Sequence, residues 1–258
     1  DIRFGLLAVK NVGRSFLDAL LAERESGGAF VSFQDFCRRM YGKELNKRCL
    51  ESLIRSGAMD CLDANRRQML LGYEAILAGL EQERRSTLAG QLSFFDLAEG
   101  EAPRDEPLPY AEEFDTPQLL AMEKEVTGLY LSGHPLRDYA KLHQQLKADT
   151  IAALTDGEHH DSVRARLLAV VSGRKNKLTK NGDTMAYLTL EDLTGSMEGV
   201  VFSSVLRQFG PLAQEGSIVL VEGRVDFRED RDPVMRCERF TAAAEIKPGE
   251  AVSQKAKK

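Results

Sequence analysis

Three groups of residues in this chain could do chemistry, and none of them is built for making or breaking bonds. The first is the turn Val9-Lys10-Asn11-Val12-Gly13, with Arg14 directly after it. A helix that starts after such a turn leaves its first N–H groups without helical partners, and its dipole adds positive charge there. Gly13 permits close approach, and Lys10 and Arg14 add full charges, so the group suits an anion such as phosphate. Asn11 stands where a glycine is usual, and Asn tolerates left-handed backbone. The plain alternative is a turn between core helices.

The second group is Gln91-Leu92-Ser93-Phe94-Phe95. It sits beside a stretch rich in Asp, Glu and Pro (Glu99, Glu101, Asp105, Glu112, Glu113; Pro103, Pro107, Pro109). Two adjacent aromatics there have no core of their own, so their chemistry is recognition: an apolar pair for a partner's pocket, with the Gln91 amide setting register. The alternative is that Phe94 and Phe95 fold back on a neighbouring helix. The third group is basic. Ser162–Gly182 holds Arg164, Arg166, Arg174, Lys175, Lys177 and Lys180 and no acidic residue, in a chain of net charge −5. Tyr187 follows on a predicted strand. Cations beside an exposed ring suit single-stranded nucleic acid; the alternative is a core tyrosine with solvated lysines.

No catalytic arrangement accompanies these groups. His134, His143, His159 and His160 lack ligand spacing with Cys37, Cys49, Cys61 or Cys237, and no phosphate-cradling glycine loop or nucleophile elbow occurs. No metal or other cofactor is expected in this segment. The unpaired cysteines suit a reducing cytoplasm, and no apolar run is long enough for a bilayer.

The elements that position these groups follow from periodicity. Residues 1–86 read as helices: a stripe of Phe16, Leu17, Leu20 and Leu21 ended by Gly27-Gly28; a short helix capped by Ser32 with Asp35; one capped by Asn46; and a longer one capped by Asp63. A second, degenerate hairpin at Ser56–Asp60 is expected to serve packing. An acidic linker spans 87–115. A helical connector spans 116–149, with Thr116 as cap, Pro117 at the first position, and an end near Ser132-Gly133-His134-Pro135. From 150 to 246 the period becomes two. Strands are expected at Val163–Val171, Met185–Leu190, Met197–Phe202, Ser217–Val225 and Val234–Phe240, with a basic loop at 174–183 and a helix at Ser203–Ala213. That layout is a five-stranded OB-fold barrel. Residues 247–258 read as a disordered basic tail. The fold class is therefore multidomain α + β, a tandem helix-hairpin-helix domain followed by an OB domain. The chain opens on Asp1-Ile2-Arg3-Phe4 and reads as a piece of something larger.

The residues also carry a resemblance. Leu6–Arg24, Phe30–Phe36 and Asn46–Ile54 resemble the tandem helix-hairpin-helix segment of the bacterial DNA polymerase III alpha family. Glu123-Lys124-Glu125-Val126-Thr127-Gly128-Leu129-Tyr130-Leu131-Ser132-Gly133-His134-Pro135-Leu136 is similar to a specific stretch of that family, and Tyr187–Gly195 with Val219–Val225 resembles its OB domain. The resemblance implies a non-catalytic segment of a replicative DNA-directed DNA polymerase. Lys10, Asn11, Val12, Gly13 and Arg14 would grip primer–template duplex. Gln91–Phe95 would dock on the sliding clamp, with Phe94 where the family commonly has Leu. Arg174, Lys175, Lys177, Lys180 and Tyr187 would touch single-stranded DNA. It also implies that the catalytic palm, with its metal-binding aspartates, lies upstream, and that other replicase subunits are partners. Two other readings stand beside it: a single-strand-binding OB adaptor, and an error-prone paralogue, for which a missing clamp peptide would be the sign.

Overall fold

The computed structural model describes residues 5–88, 107–156, 162–179, 182–228 and 231–246. Gln91–Phe95, Lys180, His159, His160 and the tail 247–258 lie outside these. The chain divides into two units, Asp1–Ser132 and Gly133–Lys258.

The first unit is helical. After a single 3-10 turn at Leu6–Ala8 come α1 (Arg14–Gly27), α2 (Phe33–Met40), α3 (Lys47–Arg55), α4 (Arg66–Leu88) and α5 (Thr116–Thr127). Each start has a local reason. The Ser32 hydroxyl accepts the Asp35 N–H at 2.9 Å, and the Asn46 side chain accepts the Cys49 N–H at 2.9 Å, both as expected. At α4 the expectation changes. Asn65 forms the reciprocal cap with Gln68, while Asp63 instead accepts the Phe33 N–H at 2.9 Å, serving α2. At α5 the cap is Asp115, in a capping box with Gln118, so Thr116 and Pro117 lie inside the first turn. α5 ends earlier than the sequence suggested, at Gly128, whose φ of 76° is left-handed. The core is formed by Phe16, Phe33, Met40, Leu50, Ile54 and Met69, all at 2% exposure or less.

The linker is shorter than the sequence implied. Residues 107–115 belong to the helical unit, because Leu108 fits a slot at Gly72, where an added Cβ would stand 2.3 Å from the leucine Cδ2. Asn65 Nδ2 donates to the Ala111 carbonyl at 2.9 Å, and Glu113 accepts the Arg66 and Arg67 N–H groups at 2.9 and 3.2 Å. The expected connector at 116–149 also divides: α5 packs with the helices, and the segment after Ser132 belongs to the second unit.

The second unit is a closed barrel of β1 (Val163–Leu178), β2 (Thr184–Glu191), β3 (Ser196–Val201), β4 (Ile218–Arg228) and β5 (Arg231–Ala242), in the order β1-β2-β3-β5-β4. Every pairing is antiparallel except β3 with β5. Inward residues such as Leu167, Ala169, Leu188, Leu190, Val219 and Val221 fill it. Ile151 and Leu154 of α7 (Ile151–Thr155) join this core, as does α8 (Ser203–Phe209) between β3 and β4 through Val205, Leu206 and Phe209. Ahead of α7 runs α6 (Ala140–Leu146). Asp192 ties these parts together. One carboxylate oxygen accepts the Ile151 N–H at 2.8 Å, and the other accepts from Thr194 and Gly195 in the β2–β3 turn. Gly223 sits at a bulge where a Cβ would meet the Arg236 carbonyl oxygen at 2.1 Å, so the two strands close only over a glycine.

The expected basic loop is largely strand. Arg174–Leu178 continues β1 and pairs with β2, with Lys175 opposite Tyr187 and Lys177 opposite Met185. The ladder carries β1 past the barrel, and no apolar alternation marks that extension.

Candidate nucleic-acid interface

At the first hairpin, Val9 and Val12 are buried, which turns Lys10, Asn11, Gly13 and Arg14 outward. Asn11 takes the left-handed conformation with φ 62°, and its Nδ2 donates to Ser52 Oγ at 3.0 Å, pinning the turn to α3. Gly13 is extended, φ −89° and ψ 161°, so its value lies in lack of bulk rather than backbone freedom. A Cβ there would find its nearest neighbour 3.9 Å away. Gly13 caps α1 without any side-chain bond, and the first turn of α1 has no acidic residue. Arg14 therefore stands at an open, positive helix end. Lys10 is engaged differently. Its Nζ donates to the Glu125 carbonyl at 2.5 Å and its N–H to the Val126 carbonyl at 2.8 Å, at the end of α5.

The second hairpin serves packing. Gly57, φ 78°, turns the chain and leaves room for Arg66; a Cβ there would stand 2.2 Å from the guanidinium. Arg66, 5% exposed, grips Asp60 at 2.7 Å and Glu123 at 3.0 Å. Glu123 is fully buried, and it also accepts the Leu131 and Ser132 N–H groups at 2.8 and 2.9 Å and the Ser132 hydroxyl. Burial pushes the Glu123 carboxyl up, but hydrogen bonds from Ser132, Arg66 and Leu131 outweigh it and hold its pKa below the usual value. Sequence reading missed this network because its members lie far apart in the chain.

On the barrel, register puts Lys175, Lys177, Met185, Tyr187, Thr189 and Val200 on the outer face, opposite buried Ala186, Leu188 and Leu190. Tyr187 is thus no core residue. The Lys177 ammonium lies 5.8 Å from its ring centroid. Arg174 does not join them. Its guanidinium donates to the Gly210 and Ala213 carbonyls at 3.3 and 2.9 Å, holding the turn after α8.

Two residues the sequence reading did not single out complete this face. Val200 is opposite Arg236 of β5, which is exposed. Phe202 follows β3 in extended conformation (φ −71°, ψ 159°), two residues beyond Val200, and is 45% exposed. The strand alternation could have revealed Phe202, since Val201 between them points into the core. Among the described residues, no group of three or more His, Cys, Asp or Glu could hold a metal ion, and no helix is long and apolar enough to cross a membrane.

Comparison with known proteins agrees with both units. A family described as "Helix-hairpin-helix motif" matches residues 1–69, and one described as "OB-fold nucleic acid binding domain" matches residues 166–243. The DNA polymerase III subunit alpha of Borreliella burgdorferi is 33% identical over 234 residues, 89% of this chain and 20% of that subunit. The chain resembles the DNA polymerase III alpha subunit over most of its own length. That of Thermus aquaticus is 37% identical over 232 residues, 89% of this chain and 18% of that subunit, and that of Saccharopolyspora erythraea is 32% identical over 259 residues, 96% and 22%. The chain thus spans about a fifth of the length of these polymerase III alpha relatives. An SSB domain from Synechococcus sp. matches 33% of this chain and 97% of its own at 13% identity, with a TM-score of 0.27, too slight a likeness to build on.

Proposed function

We propose that this chain is a non-catalytic, nucleic-acid-holding segment of a replicative DNA-directed DNA polymerase. The observation that carries the reading is the barrel's outer face. A region matching an OB-fold nucleic acid binding domain presents Lys175, Lys177 and Tyr187 together, away from its own core. Cations attract the sugar-phosphate chain and a ring accepts a base face, so the barrel holds single-stranded template. The open start of α1, with Arg14 and Gly13, holds primer–template duplex by its phosphates and without regard to sequence. The alpha-subunit relatives support placing both activities in one polymerase. Gln91–Phe95 tethers the segment to the sliding clamp, raising the local concentration of primer ends. Bond-making and its divalent metals belong to parts of the polymerase outside this chain, in the cytoplasm with other replicase subunits.

Fluorescence anisotropy with labelled single-stranded, duplex and primer–template DNA tests this. Lys175→Ala with Lys177→Ala is expected to weaken single-strand binding, and Arg14→Ala duplex binding. Loss of duplex binding on deleting the barrel would favour a single-strand adaptor instead. Clamp capture by the chain should vanish with Phe94→Ala and Phe95→Ala together; undiminished capture removes the tether.

A further inference from the structure

One row of side chains crosses four strands on the barrel's outer face. Lys175 of β1 is opposite Tyr187 of β2, Tyr187 opposite Val200 of β3, and Val200 opposite Arg236 of β5. A cation thus stands at each end, about 14 Å apart along the sheet at three strand spacings, with apolar surface between. Phe202 lies beside this row. It is two residues beyond Tyr187's partner, which makes it a diagonal neighbour of Tyr187, about 7–8 Å away by general sheet geometry. Half-buried Met185, opposite Lys177, and Val200, opposite Tyr187, share this face. Phe202 takes no part in the barrel core, although Phe209, Phe227 and Phe240 do.

An exposed phenyl ring on a strand end costs solubility and contributes nothing to this core, so its position needs another reason. The charge around it selects one. Glu198, exposed on the next row and on the side of Val200 away from Phe202, is the acidic exception; Lys175, Lys177 and Arg236 suit a polyanion that offers flat apolar faces between its charges, which describes single-stranded nucleic acid. We propose that Phe202 is a second base-stacking platform: one base lies on Tyr187, the next on Phe202, and the backbone crosses the strands between Lys175 and Arg236. This rests on the reading of the barrel as a single-strand site and adds to it a base-dependent subsite and a direction of travel, across the strands instead of along them.

The test uses the full chain with a 16-nucleotide oligo(dT) and an abasic 16-mer carrying the same phosphates. Phe202→Ala is expected to weaken oligo(dT) binding about tenfold and leave the abasic strand nearly unchanged, because stacking needs a base. Phe202→Leu, which keeps an apolar group without a ring face, should lose most of the same affinity. The chain has no tryptophan, so in Phe202→Trp the only indole reports from this position, and oligo(dT) should quench it while the abasic strand does not. Unchanged oligo(dT) binding in Phe202→Ala, or equal loss on both strands, would overturn the subsite while leaving the barrel reading intact. Failure of the unaltered chain to bind either strand would overturn both. If circular dichroism shows Phe202→Ala to be unfolded, the indole quench decides: a signal with oligo(dT) alone supports the subsite, and none removes it.

Discussion

The helical unit and the barrel use their basic residues in opposite ways. In the helical unit, most of the cations with a bonded partner hold the protein itself together, and Arg14 at the open start of α1 is an exception. Arg39 binds Glu23 and Asp35, Arg55 binds Glu51 and Glu125, Arg66 binds Asp60 and Glu123, and Lys10 closes on the Glu125 carbonyl. On the barrel's outer row, no described carboxylate lies within ion-pair distance of Lys175, Lys177 or Arg236, while Arg166 and Arg224 nearby are paired with Glu222 and Glu238. The ladder that holds those lysines in place is made of backbone bonds, so their side chains remain available. A count of basic residues would rank the two regions alike; their partners separate them. A cation whose charge is already balanced by a carboxylate gains less from a phosphate than one without such a neighbour.

This contrast can be broken or sharpened in four ways. The largest effect is expected at Glu123. Glu123→Ala leaves buried Arg66 with Asp60 as its one remaining carboxylate and strips the Leu131 and Ser132 N–H groups of their acceptor, and loss of one member of a buried pair costs about 3–5 kcal/mol. Calorimetry should show the helical unit melting early with the barrel transition unmoved, and Arg66→Met with Glu123→Leu should recover much of the loss. A single transition shifting as one would show that the units do not melt independently.

Next is the pH dependence of the same carboxylate. Its folded pKa is lowered, so its stabilisation is complete above the ordinary carboxylate range and is lost as pH falls through the folded value. Thermal melts between neutral and acid pH should show the helical unit weakening below the ordinary range, and Glu123→Gln should blunt that slope. Third, Gly57→Ala places a Cβ in left-handed backbone and against Arg66, and should cost about 1–2 kcal/mol by denaturant titration. The smallest effects are in binding. Lys175→Ala with Lys177→Ala should flatten the salt slope of single-strand binding by about 1.4, two full charges at 0.7 each. At the hairpin, Lys10→Ala with Arg14→Ala should flatten the duplex slope by about 1.8, two charges at 0.9 each, since the Lys10 bond to the neutral Glu125 carbonyl leaves its charge intact. A change of only one charge there would remove Lys10 from the duplex contact.

Much of the fold was legible because it is locally encoded. Ser32 and Asn46 cap the helices their spacing indicated, and Met185, Tyr187 and Thr189 alternate against Ala186, Leu188 and Leu190 as the period of two required. What the sequence hid depends on pairing across distance. Lys175, Asn176 and Lys177 carry no apolar alternation, since both faces of that hairpin are wet, so only β2 reveals them as strand. Arg174 looked like its basic neighbours, yet it is set apart by carbonyls at Gly210 and Ala213. Glu123 and Arg66 stand 57 positions apart, and no local pattern links them. The linker seemed acidic throughout, yet Glu113 caps a helix it precedes in space but follows in the chain.

The length of β1 has a consequence of its own. Val163–Val170 of this strand pairs with β4, and Val170–Leu178 pairs with β2, with an irregularity between Val171 and Gly173. Beyond that irregularity the strand's backbone ladder runs on one side only, to β2, while Arg174 near its root is tied by its side chain to the turn after α8. Its outermost amides should exchange with deuterium soonest and its root last.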